Sequence, residues 1–187
     1  MSGNDENIFA GPRIRICALE KEDAQAFARW SEDAEYTRNL DTDCAAPRSA
    51  DFFRAEMESR ASAKDGWEFG IRAMEGNKLI GFIALHSIEW NNRAGIMSIG
   101  IGEPGYRGGG YGTEAVRLIL RYAFCELNLN RVGLDVISGN EAAIRCYEKA
   151  GFRREGAARE AVQRDGRKCD RIYMGILFDE WARAQGG

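Results

Sequence analysis

Ile99-Gly100-Ile101-Gly102-Glu103-Pro104-Gly105-Tyr106-Arg107-Gly108-Gly109-Gly110-Tyr111-Gly112-Thr113-Glu114-Ala115 is the stretch that decides the fold. It leaves an apolar run that reads as a strand and enters an amphipathic helix. Seven of the 22 glycines lie between Gly100 and Gly112, against 3 prolines in all 187 residues. Linker composition would spread both residue types along the chain. Glycines clustered between a strand and a helix let the backbone curl, so that successive N–H groups point inward and an anion approaches closely. The helix N-terminus adds unpaired N–H groups and the positive end of the macrodipole. A pyrophosphate is the natural guest of such a turn.

The flanks agree with this reading. After the turn, Val116, Ile119, Leu120, Ala123 and Leu127 form one apolar helical stripe. Before it, Trp67, Phe69, Ile71 and Ala73 alternate with polar residues or glycine, Glu75–Lys78 turns, and Leu79–Leu85 is apolar on both faces. That is an antiparallel hairpin with a central strand. Asn91-Asn92 turns again, and Ile96–Ile101 is the next strand. Arg13–Cys17 alternates as a first strand, and Ala24, Phe27, Ala28 and Trp30 have helical spacing. Asp41–Pro47 reads as a loop, and Ser49 offers an N-cap to a helix carrying Phe52, Phe53, Ala55 and Met57. Arg131–Ile137 is a strand, and Asn140–Ala150 a short helix stopped by Gly151. Phe152–Val162 and Lys168–Leu177 are two further strands. The predicted order is β-α-α-β-β-β-α-β-α-β-β: an α/β (α+β) fold with a mixed sheet, hairpins first and parallel crossovers later. A single domain over 12–182 is expected, with a frayed arm at 1–11 and a short tail at 183–187.

Composition removes whole classes of function. A net charge of −3 argues against a general nucleic-acid binder. The one histidine, His86, excludes sites built on two imidazoles, and no G-x-S-x-G motif is present. Cys17, Cys44, Cys125, Cys146 and Cys169 are scattered and odd in number, with no C-x-x-C. Neither a disulfide framework nor a metal site is expected, and a reducing cytoplasm fits. The N-terminus lacks the basic and apolar regions of a signal peptide, and Leu79–Ile88 is too short to span a bilayer. Charge is uneven: residues 1–65 carry a net −5 and the remainder +2. A cationic ligand on the first part and an anionic one on the second would suit that division.

Three phosphate motifs compete for the turn. The P-loop fails, because Tyr111 follows Gly110 where lysine is required. The dinucleotide pattern matches as Gly110-Tyr111-Gly112-Thr113-Glu114-Ala115. Its context is wrong, because it follows a hairpin and Asp135 lies inside a strand. The third is R/Q-x-x-G-x-G/A, present as Arg107-Gly108-Gly109-Gly110-Tyr111-Gly112. With Asn140-Glu-Ala-Ala-Ile-Arg-Cys-Tyr147-Glu-Lys-Ala-Gly151-Phe152 in the right order and spacing, it resembles the GNAT superfamily of acyl-CoA-dependent N-acetyltransferases. Within that superfamily the chain looks like the RimJ/RimL-type branch, over roughly residues 12–182, a span of about one domain.

The resemblance implies acetyl-CoA as co-substrate and no metal. The strand before the turn would splay from its parallel neighbour, with Gly100, Ile101 and Gly102 as the edge that holds the pantetheine arm. The amides of Gly108, Gly109, Gly110, Tyr111, Gly112 and Thr113 would hold the pyrophosphate, with Arg107 adding charge. Asn140 would contact the pantetheine as well as cap its helix, and Tyr147 would protonate the departing thiolate. A backbone N–H of the splayed strand would stabilise the oxyanion. Direct attack needs no protein nucleophile. Ile96 stands where many relatives carry a basic glutamate, which leaves Glu68, Glu89 and His86 as strand-end candidates for the base. The acceptor would be a protein N-terminus or a small cationic amine, such as a polyamine or aminoglycoside, bound by the first two helices. A homodimer, no nucleic acid and no membrane complete the expectation. A non-catalytic acyl-CoA-binding module and a nicotinamide-dependent oxidoreductase are the competing readings.

Overall fold

The computed structural model describes residues 7–186. One seven-stranded sheet runs through it in the order β1-β2-β3-β4-β5-β7-β6. The strands are β1 (Ile14–Cys17), β2 (Trp67–Ala73), β3 (Leu79–Glu89), β4 (Ala94–Ile101), β5 (Arg131–Ile137), β6 (Arg153–Arg164) and β7 (Arg167–Leu177). The helices are α1 (Ala24–Ser31), α2 (Ala34–Leu40), α3 (Ala50–Ala61), α4 (Tyr111–Arg121), α5 (Glu141–Lys149) and α6 (Phe178–Gln185). Only β4 and β5 pair in parallel; every other neighbouring pair is antiparallel.

The apolar patterns explain which face each helix covers. Val116, Ile119, Leu120 and Ala123 are fully buried and pack, with Ile83, Leu85 and Met97, into the larger core. Burial of each large side chain is worth ~1.5–3 kcal/mol. Ile144 and Tyr147 of α5 join the same cluster, so α4 and α5 cover one face. Phe27 and Trp30 of α1 pack on Leu79 and Phe82, with Phe53 and Met57 of α3 beside them. Thus α1 and α3 cover the other face. Ser49 caps α3 by accepting from Phe52 N at 3.2 Å, as its sequence implies.

The structure departs from the sequence reading in five places. α2 lies where only the lead-in to a loop was expected; Asp33 caps it by accepting from Tyr36 N at 3.1 Å. The long stripe helix ends early, and its last turn, Tyr122–Glu126, is a π-turn. The crossover through α5 does not place β6 beside β5. β7 inserts between them, antiparallel to both. α6 follows β7 directly, and its Trp181 and Phe178 rings lie 5.4 and 5.9 Å from Phe124. The expected tail from 183 therefore starts inside a helix. The first half of the expected N-terminal arm lies outside the described residues. Its second half is tied down: Ile16 N donates to Phe9 O at 2.8 Å, and the Phe9 ring packs on Phe69 and Tyr122.

One buried ion pair fixes the first helical layer to the sheet. Arg72 Nη2 of β2 donates to both oxygens of Asp23, at 2.6 and 2.7 Å. Asp23 is only 8% exposed, and its carboxylate also accepts from Glu20 N at 2.8 Å. Asp23→Ala would strand the guanidinium at a largely buried position. We expect a loss of about 3–5 kcal/mol, read as a lower urea midpoint with an unchanged m value.

Candidate active site

The site begins where two parallel strands stop pairing. β4 and β5 are in register at Ala94–Arg131, Gly95–Val132 and Ile96–Gly133, and nowhere beyond. β4 nevertheless runs on to Ile101 and β5 to Ile137. From Met97 onward the β5-facing edge of β4 has no strand opposite it. Gly100, Ile101 and Gly102 lie at the open end of this gap, where the sequence places the pantetheine edge. Small residues are required there. A Cβ on Gly100 would collide with the Tyr36 hydroxyl, Phe82 and Leu40, and one on Gly102 would fall within the Trp30 indole.

The glycine turn follows through a short 3-10 helix, Pro104–Tyr106. Gly108 and Gly110 take left-handed backbone angles, with φ of 74° and 84°, which glycine adopts without the Cβ penalty. Gly110 is the N-cap of α4. Among the described residues no hydrogen bond takes up a backbone N–H of Gly108, Gly109, Gly110, Tyr111, Gly112 or Thr113. Nothing within 4 Å fills the space at Gly108. Unclaimed donors, open space and a helix N-terminus suit a pyrophosphate. Gly112 lies against Cys146 of α5, and Thr113 Oγ1 donates to the Cys146 sulfur at 3.3 Å, so these two residues also mark where α4 meets α5.

Arg107 has a different place from the one its motif suggests. Its Nε donates to Ile101 O at 3.0 Å, its Nη2 to Gly102 O at 2.7 Å and its Nη1 to Asp33 at 2.8 Å. The guanidinium therefore faces the protein and secures the end of the splayed strand rather than projecting at the amide cradle. Asp33 is held below the ordinary carboxylate range, first by its bond from Tyr36 N and then by Arg107. Arg13, read in the sequence only as a strand residue, sits at the cradle instead. Its Nη1 donates to Gly109 O at 2.9 Å, its Nε pairs with Glu114 at 2.9 Å, and its guanidinium lies 4.5 Å from the Tyr111 ring centre.

Asn140 caps α5 through Oδ1, which accepts from Ala143 N at 3.2 Å. Its Nδ2 donates to Asn39 O at 3.3 Å, which links the start of α5 to the end of α2 across the open end of the gap. Tyr147 is buried beside Phe152, with ring centres 6.0 Å apart. Burial raises its phenol above the ordinary value of 10, so it holds its proton throughout the neutral range.

The face under α1–α3 carries the three candidates for a base. Glu68 accepts from Arg60 Nη1 at 2.7 Å. Glu89 lies at the paired end of β4, opposite Ala94, and accepts from Asn92. His86 lies opposite Ile96 and contacts Ser98 across the strands. A cavity of about 110 Å³ opens on this face, walled by Phe27, Leu40, Phe52, Phe53, Met57 and Phe82 and closed by the charged side chains of Glu56, Arg60 and Glu68. Leu40 and Phe82 also stand over Gly100, so the cavity reaches the splayed edge. Four of the fourteen acidic side chains of residues 1–65 are held in ion pairs here: Asp23 with Arg72, Asp33 with Arg107, Asp51 with Arg54, and Glu56 with Arg60.

Over Gly100 lies the hydroxyl of Tyr36. It is buried, with no hydrogen-bond partner among the described residues, and burial raises its phenol well above 10. A buried donor without a partner costs about 1–3 kcal/mol. Tyr36→Phe should therefore raise the stability of the ligand-free protein by that order, read as an upward shift in its unfolding temperature.

Comparison with known proteins agrees with this geometry. The family model for the acetyltransferase (GNAT) domain matches residues 13–153. The SPbeta prophage-derived uncharacterized N-acetyltransferase YokL of Bacillus subtilis is 32% identical over 178 residues, covering 95% of this chain and 97% of YokL. The spermidine N-acetyltransferase of Vibrio cholerae, solved in complex with CoA and spermine, superposes with a TM-score of 0.83 at 24% identity, over 92% of this chain and 99% of that one. A GNAT-family acetyltransferase of Bacillus anthracis does so with a TM-score of 0.78 at 24% identity, over 92% and 99%. A splayed parallel pair beside an open amide cradle, on a chain matched by the family model over most of its length, has one reading: this chain belongs to the GNAT acetyltransferase family, whose members are acetyl-CoA-dependent N-acyltransferases.

Proposed function

We propose that the protein transfers the acetyl group of acetyl-CoA to a small primary amine. The observation that carries this reading is the unpaired edge of β4 from Met97, continuous with a turn whose amides are unclaimed. In this reading the edge at Gly100–Gly102 holds the pantetheine arm, and the amides of Gly108–Thr113 hold the pyrophosphate. Acetyl-CoA, when bound, supplies an acyl carbon activated as a thioester.

The residues around the gap do the rest. Tyr36, over Gly100, offers a hydroxyl donor to whatever fills the gap. Tyr147 keeps its proton at neutral pH and gives it to the departing sulfur. Asn140 holds the start of α5, and with it the helix that carries Tyr147. Arg107 and Asp33 keep the edge of β4 from closing. The amine enters from the α1–α3 face, where the small cavity favours a compact acceptor over a folded protein's N-terminus. The relative solved with spermine supports an amine of that size. The ion pairs on this face weaken the case for a strong cation requirement, so polyamines and simple alkylamines both belong in the test.

Thiol release from acetyl-CoA, measured over polyamines, aminoglycosides, alkylamines and short peptides, tests the reading. Release with at least one small amine is expected. Binding of acetyl-CoA without release for any acceptor would instead favour a non-catalytic binding module. Tyr147→Phe should lower kcat by about 10²-fold while acetyl-CoA affinity changes little, because the ring keeps its packing. Gly110→Ala should raise the KM for acetyl-CoA, because a side chain at a φ of 84° forces the turn to move.

A further inference from the structure

We propose that Ser98 and His86 form a proton relay for the attacking amine, with Ser98 touching the amine and His86 acting through it. This rests on the acetyltransferase reading and supplies the base that Ile96 cannot be. The register pairs His86 with Ile96, Ala84 with Ser98 and Phe82 with Gly100, so all these residues share the acceptor face. His86 is thus the cross-strand partner of the position where the sequence lacks a glutamate. Its imidazole reaches diagonally, and Nε2 lies 2.8 Å from Ser98 Oγ. Ser98 stands two residues beyond Ile96, the last residue of β4 paired with β5, so its hydroxyl is at the start of the gap.

The backbone is shaped to hold this arrangement. The pairing of β3 with β4 shifts register between His86 and Glu89. Inside that bulge Ser87 takes a φ of 51°, rare for a residue with a side chain. Bulges re-aim side chains beside active sites. Here the bulge brings Ser87 Oγ to 3.1 Å from His86 Nδ1. If Nδ1–H donates to Ser87, then Nε2 is left as a bare acceptor for the Ser98 proton. Burial keeps the imidazole neutral at pH 7. Arg60 of α3 acts in the same direction, while Asp135 of β5 and Asp65 before β2 oppose it. Glu68 of β2, on the same face, is neutralised by Arg60.

The balance is complete without another reactant. The amine lone pair forms the new C–N bond, and the C–S bond of the thioester breaks. The amine proton passes to Ser98 Oγ as the Ser98 proton passes to His86 Nε2. Tyr147 gives its proton to the thiolate. Solvent then takes the proton from the imidazolium and restores that of the tyrosinate.

His86 is the only histidine in the chain, so its signals are unambiguous. Nitrogen NMR of the full-length protein should show a neutral imidazole protonated at Nδ1, titrating below 6.5. The kcat/KM profile of the wild type should fall on its acid side with the same midpoint, because a protonated imidazole accepts nothing. His86→Gln should lower kcat by about 10²-fold, leave the KM for acetyl-CoA near wild type and abolish that acid limb. Ser98→Ala should match the loss and Ser98→Thr should restore most of it. An Nε2-protonated imidazole, or an acid limb that survives in His86→Gln, overturns the relay while leaving the acetyltransferase reading intact. A wild-type protein that releases no thiol with any amine overturns both.

Discussion

The guanidinium of Arg107 is the constraint on which the site depends. Three of its nitrogens bond to the carbonyls of Ile101 and Gly102 and to the carboxylate of Asp33. Its Cζ lies 5.1 Å from the centre of the Tyr36 ring. The planar fork of arginine can satisfy acceptors from several elements at once, which an ammonium does less well. Asp33 in turn caps α2, so one carboxylate anchors both the guanidinium and the helix start. The end of β4 is thereby tied to the helices of the acceptor face and not to β5. The gap itself opens earlier, after Ile96, and Arg107 holds its far end.

That geometry divides the work between backbone and side chains. On the α4–α5 side, the groups offered are amides of a glycine turn and the edge of a strand. Such groups need no particular side chain, only the absence of one at Gly100, Gly102, Gly108 and Gly110. On the α1–α3 side, the groups are side chains: the apolar wall of Phe27, Phe53 and Phe82, the Tyr36 hydroxyl, and the Ser98–His86 pair. A fixed nucleotide and a variable amine call for this asymmetry. Backbone recognition stays constant while side chains on the other face can change with the acceptor.

What could be read in the sequence was local. The glycine run, the stripe from Val116 to Ala123, the strand Arg131–Ile137, and the bracket of Asn140 and Gly151 around α5 each depend on a few consecutive residues and their periodicity. Missed features depend on partners far along the chain. α2 has little apolar surface of its own beyond Tyr36 and Leu40, and both find their use over Gly100. α6 is held by Trp181 and Phe178 against Phe124, over fifty residues earlier. β7 lies between β5 and β6 because hairpin pairing with β6 leaves its other edge free for β5, and strand spacing alone carries no record of that.

The sequence by itself determined the cofactor class, because a phosphate cradle is made from contiguous backbone and writes itself as a run of glycines. Its single histidine also excluded sites built on two imidazoles. Tertiary structure alone decided where Arg107 is bonded, that His86 meets Ser98, and that Tyr36 overhangs Gly100. Those outcomes depend on register and on contacts between separate elements: Arg107 meets Asp33, 74 residues earlier, where α2 packs on β4, and His86 meets Ser98 through the β3–β4 register. Chain-local chemistry is readable in order along the sequence, whereas a catalytic constellation is a property of where the chain returns to itself.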